Sequence, residues 1–153
     1  MPELPDIYVL AMSMKEALKG KMIVDAHVNQ PKCLNMSARK FKDSIKNRYI
    51  EDVQQRGKWV IASLDSDYTL ALNLGMGGEV RLHLQDENPN PKRERIVLNL
   101  NTGEQIWIHH WWFGHVYLFK SKEITNYKQI SKLGPEPLDD SFTVQKVSEM
   151  LKG

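Results

Sequence analysis

The sequence predicts a mainly β protein with two flanking helices, an α+β fold in which about eight antiparallel strands form a two-layer β-sandwich. Two observations lead to this prediction. Short runs rich in valine, isoleucine, tryptophan and tyrosine recur along the chain, often with apolar and polar residues in alternation. Before residue 133, only the segments 6–18 and 37–45 show the three- and four-residue apolar spacing of an amphipathic helix.

The first helix is predicted over residues 6–18 and is expected to end at Gly20, a residue that favours helix termination. Pro5 suits its first turn because the proline ring already holds φ near the helical value. The second helix is predicted over residues 37–45, with Ser37 as the N-cap whose side chain satisfies a free backbone N–H.

The predicted strands cover residues 22–28, 49–55, 58–64, 68–74, 78–85, 95–101, 104–110 and 115–120. Asn101-Thr102-Gly103 lies between two of these runs and predicts a tight hairpin turn. Ser66-Asp67 predicts another turn of the same kind. The regular alternation of strand and turn is typical of a sandwich rather than of a parallel sheet.

Length and composition fit one soluble domain, because the 153 residues are 41% hydrophobic and 26% charged. No apolar run reaches eighteen residues, and the N-terminus has acids where a signal peptide needs a basic start, so a cytoplasmic protein is expected. The single cysteine, Cys33, can form no internal disulfide and cannot hold zinc alone. Core burial must therefore stabilise the fold.

The formal net charge of +2 says little, because charge acts on partners through its distribution. Residues 36–60 hold seven lysines and arginines against three acids, and residues 92–95 hold three against Glu94. A solvated surface is the simpler explanation for each cluster. Charge alone therefore does not identify a nucleic-acid partner.

Two loops depart from a plain sandwich. Residues 74–78 place Met76 among three glycines, which fits either a loop that presents the methionine or a glycine-rich turn that buries it. Residues 109–114, HHWWFG, carry more rings than strand alternation can bury, and exposed rings near basic residues suit stacking on bases. The adjacent His109 and His110 would point to opposite faces of a strand, which argues against a metal site.

The N-terminus carries a candidate nucleophile. If the initiator methionine is removed, Pro2 presents a secondary amine, and an α-amino group with a pKa of about 8 is roughly a tenth neutral at pH 7. Condensed with a sugar aldehyde, this amine gives an iminium that acts as an electron sink for β-elimination. Glu3 could protonate a ring oxygen or leaving group. The same residues also fit an ordinary protein start.

The last residues predict a boundary. Residues 133–138, LGPEPL, read as a rigid connector. An N-cap at residues 139–141 then begins a helix whose apolar residues are Phe142, Val144, Val147 and Leu151. We expect a catalytic β-sandwich lobe over residues 1–132, followed over residues 133–153 by a linker and the start of a helix that leads to a second, absent lobe.

Five motifs occur in the order and approximate spacing found in the formamidopyrimidine-DNA glycosylase / endonuclease VIII family. They are PELPD at 2–6, RGKW at 56–59, the glycine loop at 74–78, Phe113-Gly114, and LGPEPL at 133–138. The chain thus resembles the N-terminal domain of that family over nearly its whole length. The resemblance implies a bifunctional DNA glycosylase and AP lyase that excises oxidised or ring-opened bases and then cleaves the abasic strand.

The resemblance also implies the partners and cofactors. The partner would be damaged double-stranded DNA, so the protein would be associated with the nucleoid if it is prokaryotic. It would be a monomer and would not associate with a membrane. No metal or other cofactor is expected within these residues. The absent lobe would carry a helix-two-turns-helix motif and usually a zinc finger, so a zinc ion is expected there and the isolated lobe should bind DNA weakly.

The resemblance assigns three catalytic residues. Pro2 would attack the sugar C1′, Glu3 would act as general acid, and Lys58 would contact phosphate and assist proton transfer. Asp6 and Tyr8 stand where the family usually has a second glutamate and a further acid. The carboxylate array beside the nucleophile is therefore altered.

Four further residues would contact DNA. Met76 and Phe113 would fill the gap left by a flipped nucleotide, and Arg93 falls near a phosphate-contacting position. Trp111 stands where the family has an arginine that pairs with the orphaned base. An indole offers one N–H donor and no charge, so selectivity for the opposite base should be weaker or different.

Two other interpretations remain open. The fold could serve as a DNA-binding module without chemistry, which the altered arginine and any retained Met1 would favour, because Met1 converts the amine of Pro2 to an amide. An unrelated β-sandwich interaction protein is the third interpretation.

Overall fold

A computed structural model of the chain describes residues 4–75, 78–84, 89, 93–110 and 114–120. Two α-helices and eight strands make up most of this part. In chain order the elements are α1 (Leu4–Leu18), β1 (Met22–Val28), a 3₁₀ helix (Pro31–Cys33), α2 (Ala38–Ile45), β2 (Arg48–Arg56), β3 (Trp59–Leu64), β4 (Tyr68–Asn73), β5 (Glu79–Leu84), β6 (Ile96–Leu100), β7 (Glu104–His109) and β8 (His115–Lys120).

The described strands form one antiparallel sheet in the order β5-β7-β6-β1-β2-β3-β4-β8. The link between β1 and β2 is narrow, with only Met22 opposite Tyr49 and Ile23 opposite Arg48. It divides the sheet into a first half, β5-β7-β6-β1, and a second half, β2-β3-β4-β8. Buried side chains of both halves belong to one core cluster, so the halves face each other. The predicted two-layer β-sandwich with flanking helices is confirmed.

The strand bounds agree with the sequence prediction to within one residue at every end. The two predicted hairpin turns are present as well. Ser66 and Asp67 join β3 to β4 with φ values of 57° and 63°, as a type I′ turn requires. Gly103 has φ of 89° in the β6–β7 turn. Local turn chemistry therefore sets these two hairpins.

Helix α1 packs on the core and is fixed to β2. Its buried side chains are Ile7, Ala11, Met14 and Leu18. Beyond its C-terminal end, the Gly20 N–H donates to the Ile50 carbonyl at 2.7 Å. Lys15 of the helix forms an ion pair with Asp52 of β2 at 3.2 Å. The helix begins two residues earlier than predicted, so that Pro5 lies inside its first turn.

Helix α2 has the predicted N-cap. The Ser37 hydroxyl accepts a hydrogen bond from the Lys40 N–H at 3.2 Å. Phe41 and Ile45 are fully buried beneath the helix. The 3₁₀ helix at Pro31–Cys33 was not predicted.

Part of the prediction lies outside the described residues, namely the connector at 133–138, the following helix and the boundary at residue 132. Among the helices of the described part, none has the length and apolar character needed to cross a membrane.

Candidate functional site

The structure describes two of the seven predicted site residues, Lys58 and Arg93. The others, which lie outside the described residues, are Pro2, Glu3, Met76, Trp111 and Phe113. The described residues on either side of these positions define how the site is built.

Lys58 lies in the tight turn between β2 and β3. Arg56 and Trp59 are opposite each other across the turn. Gly57 has φ of 60°, a left-handed conformation that glycine adopts without steric cost. Glycine at the first central position of a two-residue hairpin loop is typical of a type II′ turn. The turn fixes Lys58 at one end of the second half of the sheet.

The glycine loop begins, and the aromatic loop ends, beside this turn. Trp59 is opposite Asn73 at the end of β4, and Asn73 is opposite His115 at the start of β8. Neighbouring strands lie about 4.8 Å apart. The turn that holds Lys58 and the start of β8 are therefore about two strand spacings, or roughly 10 Å, apart.

The first turn of α1 lies toward the same end. Lys15 contacts Asp52 and Gly20 contacts Ile50, so the helix runs roughly antiparallel to β2. A helix rises about 1.5 Å per residue and a strand about 3.3 Å, so the stretch from Lys15 back to Leu4 is about as long as the stretch from Asp52 to Gly57. The start of α1 at Leu4 is thereby directed toward the turn of Lys58.

Both loops cross between the halves of the sheet at this end. Residues 74–78 connect β4 of the second half to β5 of the first half, and residues 110–114 connect β7 of the first half to β8 of the second. This connectivity brings the two predicted DNA-contacting loops and Lys58 to one end of the sandwich.

The glycine loop is closed at its base by close backbone approach. A Cβ added at Gly78 would lie 2.3 Å from both the Cβ and the carbonyl oxygen of Leu74. Gly75 has φ of 56°, and its N–H donates to the Asn73 side-chain oxygen at 3.0 Å. Glycine is therefore required at both positions for steric and conformational reasons.

The aromatic loop has a similar base. A Cβ added at Gly114 would lie 2.2 Å from Cγ of His110, whose side chain is buried. The His110 carbonyl accepts a hydrogen bond from Arg95 Nε at 2.8 Å. His109 Nδ1 lies 2.6 Å from the Arg93 carbonyl oxygen. Both ends of segment 111–113 are thus held by packed residues.

His109 and His110 are both buried, which is compatible with the predicted opposite orientation of neighbouring strand residues. Among the residues that the structure describes, neither ring nitrogen of His110 finds a hydrogen-bond partner. Burial, together with the nearby charge of Arg95 and the neighbouring histidines, lowers the pKa of His110 to about 4. Burial also lowers the pKa of His115. At neutral pH the His110 ring is therefore uncharged and packs as an apolar group.

Arg93 lies at the same end on the first half, where it forms ion pairs. Its guanidinium contacts the carboxylates of Glu79 and, at 3.1 Å, Glu94. Glu94 is only 2% exposed. Burial would raise the pKa of Glu79, but hydrogen bonds and charge from Arg93 and Arg81 lower it overall. A phosphate at Arg93 would compete with two carboxylates that the sequence analysis did not connect to it.

A row of rings on the outer face of the second half was also missed. Trp59 stacks on His115 with ring centroids 6.0 Å apart, and Tyr117 lies 4.9 Å from His115. Phe119 continues the row. Alternation of large residues within 115–120 is the signal that could have predicted it. The row packs the RGKW segment against β8 and so supports the turn of Lys58.

No three histidine, cysteine, aspartate or glutamate side chains of the described residues are grouped as a metal site would require.

Comparisons with known proteins agree with this architecture. The sequence model of the formamidopyrimidine-DNA glycosylase N-terminal domain matches residues 1–111. A formamidopyrimidine-DNA glycosylase of Bacillus cereus (strain ATCC 10987) is 32% identical and aligns with 99% of this chain, which covers 55% of the relative. The corresponding protein of Chloroflexus aurantiacus is 33% identical, with 99% and 54% covered. The chain therefore spans about half the length of the curated relatives it matches.

Solved structures are similar in fold. The complex of Lactococcus lactis Fpg with DNA containing an abasic site superposes with a TM-score of 0.84 at 22% identity, over 99% of this chain and 56% of that one. The structure of MutM with DNA containing carbocyclic 8-oxo-G has the same TM-score at 23% identity. Likeness at this level of identity establishes the fold of the chain.

Proposed function

The chain belongs to the family of formamidopyrimidine-DNA glycosylase N-terminal domains, and from this membership we propose that it is the catalytic lobe of a bifunctional DNA glycosylase and AP lyase. The substrate class is double-stranded DNA with oxidised or ring-opened bases. The observation that carries the proposal is the convergence of the Lys58 turn, the first turn of α1 and the two crossing loops at one end of the sandwich.

In this proposal Pro2 and Glu3 perform the chemistry. The amine of Pro2 attacks C1′ of the damaged nucleotide, the bond from C1′ to the base breaks, and the base leaves with a proton. Glu3 protonates the sugar ring oxygen, which opens the ring and yields an iminium. A proton acceptor then removes the C2′ proton, and the 3′ phosphate leaves by β-elimination. Water finally hydrolyses the iminium and releases the sugar fragment from Pro2.

Lys58 acts on the phosphate beside the lesion. A two-residue turn holds its backbone at the same end of the sandwich as the start of α1. In this position a cation neutralises phosphate charge and favours proton transfer near the lesion. We assign Arg93 the weaker role of a phosphate contact that must first release Glu79 or Glu94.

Met76, Phe113 and Trp111 enter the DNA in this proposal. Their loops have bases closed by Gly78 and Gly114, which limits the entropy lost when the loops insert beside a flipped nucleotide. Trp111 faces the orphaned base by stacking rather than by charge. We therefore propose a relaxed preference for the opposite base.

The reaction needs no cofactor in this chain. A zinc site of four cysteine ligands does not fit these residues, because Cys33 is the only cysteine and is buried. We propose that zinc belongs to the second lobe found in full-length members. The complete protein is proposed to act as a cytoplasmic monomer on DNA.

A second candidate is a DNA-binding module without chemistry. Trp111 at the position where the family has an arginine favours it, as would a retained Met1, because Met1 converts the amine of Pro2 to an amide.

Borohydride trapping on a duplex with one abasic site tests the proposal. Mass spectrometry of the intact chain first verifies that Met1 has been removed from the protein that is used. We expect a covalent adduct on the abasic duplex, none on undamaged duplex, and none with a Pro2→Gly variant that carries an added upstream residue. Salt-dependent binding without an adduct at saturating protein would support the module. No binding at low salt would contradict both candidates.

A further inference from the structure

Arg95 connects separate segments of the chain at the end of the sandwich where the candidate site lies. Its backbone N–H donates to the Ile108 carbonyl at 2.8 Å, which ties it to β7. Its carbonyl accepts hydrogen bonds from the N–H groups of Asn29 and Gln30, at 2.8 and 3.2 Å, which ties it to the segment that follows β1. The backbone of Arg95 is therefore fixed from both sides.

The side chain of Arg95 contacts the residue that leads into segment 111–113. Its Nε–H donates to the His110 carbonyl at 2.8 Å. A guanidinium is planar and always charged, so the direction of this N–H is well defined, and a charged donor forms a stronger hydrogen bond than a neutral one. The His110 carbonyl is thus held by a strong donor on a fixed backbone.

Both ends of segment 111–113 depend on the position of His110. Residue 111 follows His110 directly, and Gly114 packs so closely on the His110 ring that an added Cβ would lie 2.2 Å from Cγ. The ring is buried, and its nitrogens make no hydrogen bond within the described part of the chain. Packing rather than hydrogen bonding therefore holds the ring, and the hydrogen bond from Arg95 fixes the backbone from which the ring extends.

Charge alone would assign Arg95 to DNA phosphate, because it belongs to a basic cluster in the sequence. The hydrogen bond to a backbone carbonyl favours a different role. We propose that Arg95 is a positioning residue, which sets the placement of segment 111–113 against DNA through His110. The inference rests on the proposed function, because it concerns the DNA contacts assigned to Trp111 and Phe113.

Arg95→Lys tests this role, because it keeps the charge and removes the directed Nε–H. Arg48→Lys is the matched control, since Arg48 Nε donates to the Ser44 carbonyl at 2.9 Å in the same way. Arg48 begins β2, at the opposite end of that strand from the turn of Lys58. Arg95→Gln, which loses the charge and shortens the donor, provides a second variant.

The readout is the ratio of two dissociation constants, measured by fluorescence anisotropy at low salt with the full chain. One duplex carries a tetrahydrofuran abasic analogue, which leaves a gap that an inserted side chain can fill, and the other duplex is undamaged. We expect Arg95→Lys and Arg95→Gln to reduce the preference for the abasic duplex about fivefold, as the loss of one hydrogen bond would. Arg48→Lys should keep the wild-type preference.

A double-mutant cycle tests whether Arg95 acts through segment 111–113. In a Phe113→Ala background, a side chain assigned to insertion is gone, so Arg95→Lys should reduce the preference less than it does in the wild type. An equal reduction in both backgrounds would overturn the proposal.

Two further results would overturn it. If Arg95→Gln weakens binding to both duplexes equally and lowers the salt slope by about one, Arg95 contacts phosphate. If Arg95→Lys is less stable in urea but keeps the preference, the hydrogen bond serves only the fold. A wild-type chain that binds both duplexes equally would contradict the proposed function and this inference together, whereas a wild-type preference that Arg95→Lys retains would contradict the inference alone.

Discussion

The imidazole of His110 fills the space that a β-carbon on Gly114 would need, with His110 Cγ only 2.2 Å from that position. The ring is buried, and this contact closes the base of segment 111–113. His110 and Gly114 can therefore pack together only because Gly114 has no side-chain methyl group. Three predictions concern this end of the sandwich, and a fourth concerns the glycine itself.

Gly114→Ala should destabilise the protein by about 1–3 kcal/mol, because the added methyl overpacks against a buried ring. The neighbour is a side chain, so shortening it should relieve the clash. In urea unfolding, Gly114→Ala should therefore cost less in a His110→Ala background than in the wild type. Equal costs in the two backgrounds would mean that the ring is not the obstacle.

Stability should fall as the pH drops through the range in which His110 titrates. Its pKa is lowered from 6.5 to about 4, so between these values the unfolded chain binds more protons than the folded one. The lowered pKa therefore contributes about 3 kcal/mol to the free energy of unfolding. This contribution is fully present above pH 6.5 and is lost toward pH 4. His115 contributes in the same direction.

Unfolding free energies measured from pH 4.5 to 7.5 check this. His110→Phe keeps a ring without the titrating nitrogens, so it should flatten most of the slope, while His27→Gln serves as the matched histidine control. A slope that persists in His110→Phe would assign the effect to another group.

The fold follows from patterns that act over a few residues. Ser37 caps α2 through the third residue beyond it, and Ser66-Asp67 supplies the two positive φ values of its own turn. Runs of β-branched and aromatic residues bounded by turn residues predicted the strand ends. Such features need no knowledge of distant residues, and the sequence was sufficient for them.

The site depended on contacts that no local pattern encodes. Arg93 reaches Glu79 only because the β5–β7–β6 register brings the two together. His109 and His110 are both buried at the point where the chain leaves β7 to cross to β8. A charge cluster in the sequence therefore could not show that Arg93 is already paired with Glu79 and Glu94.

Arg93→Ala should destabilise the protein by about 1–3 kcal/mol, because it leaves the carboxylate of Glu94 buried without its partner. This loss of stability is smaller than the loss expected for a fully buried ion pair, because the Arg93 side chain is 36% exposed. Adding Glu94→Gln should recover much of the loss in thermal or urea unfolding. A stable Arg93→Ala protein with weakened DNA binding would instead assign Arg93 to phosphate.

Lys58→Gln should weaken binding to abasic duplex and reduce borohydride trapping, because one phosphate contact is lost from the site. The slope of the logarithm of the binding constant against the logarithm of salt concentration should fall in magnitude by about one. Urea unfolding of Lys58→Gln separates any effect on stability from the effect on DNA binding. Fluorescence anisotropy at several salt concentrations measures the slope.

The matched control is Lys40→Gln, which removes the same charge from the exposed surface of α2. If Lys58 contacts phosphate from its rigid turn, only its variant changes the slope, whereas a general effect of net charge would alter both variants equally. Lys58→Arg sharpens the distinction. It preserves the charge and should retain the salt slope, but it should trap less adduct if the lysine also assists proton transfer, because arginine stays protonated. Full trapping by Lys58→Arg would confine the residue to phosphate binding.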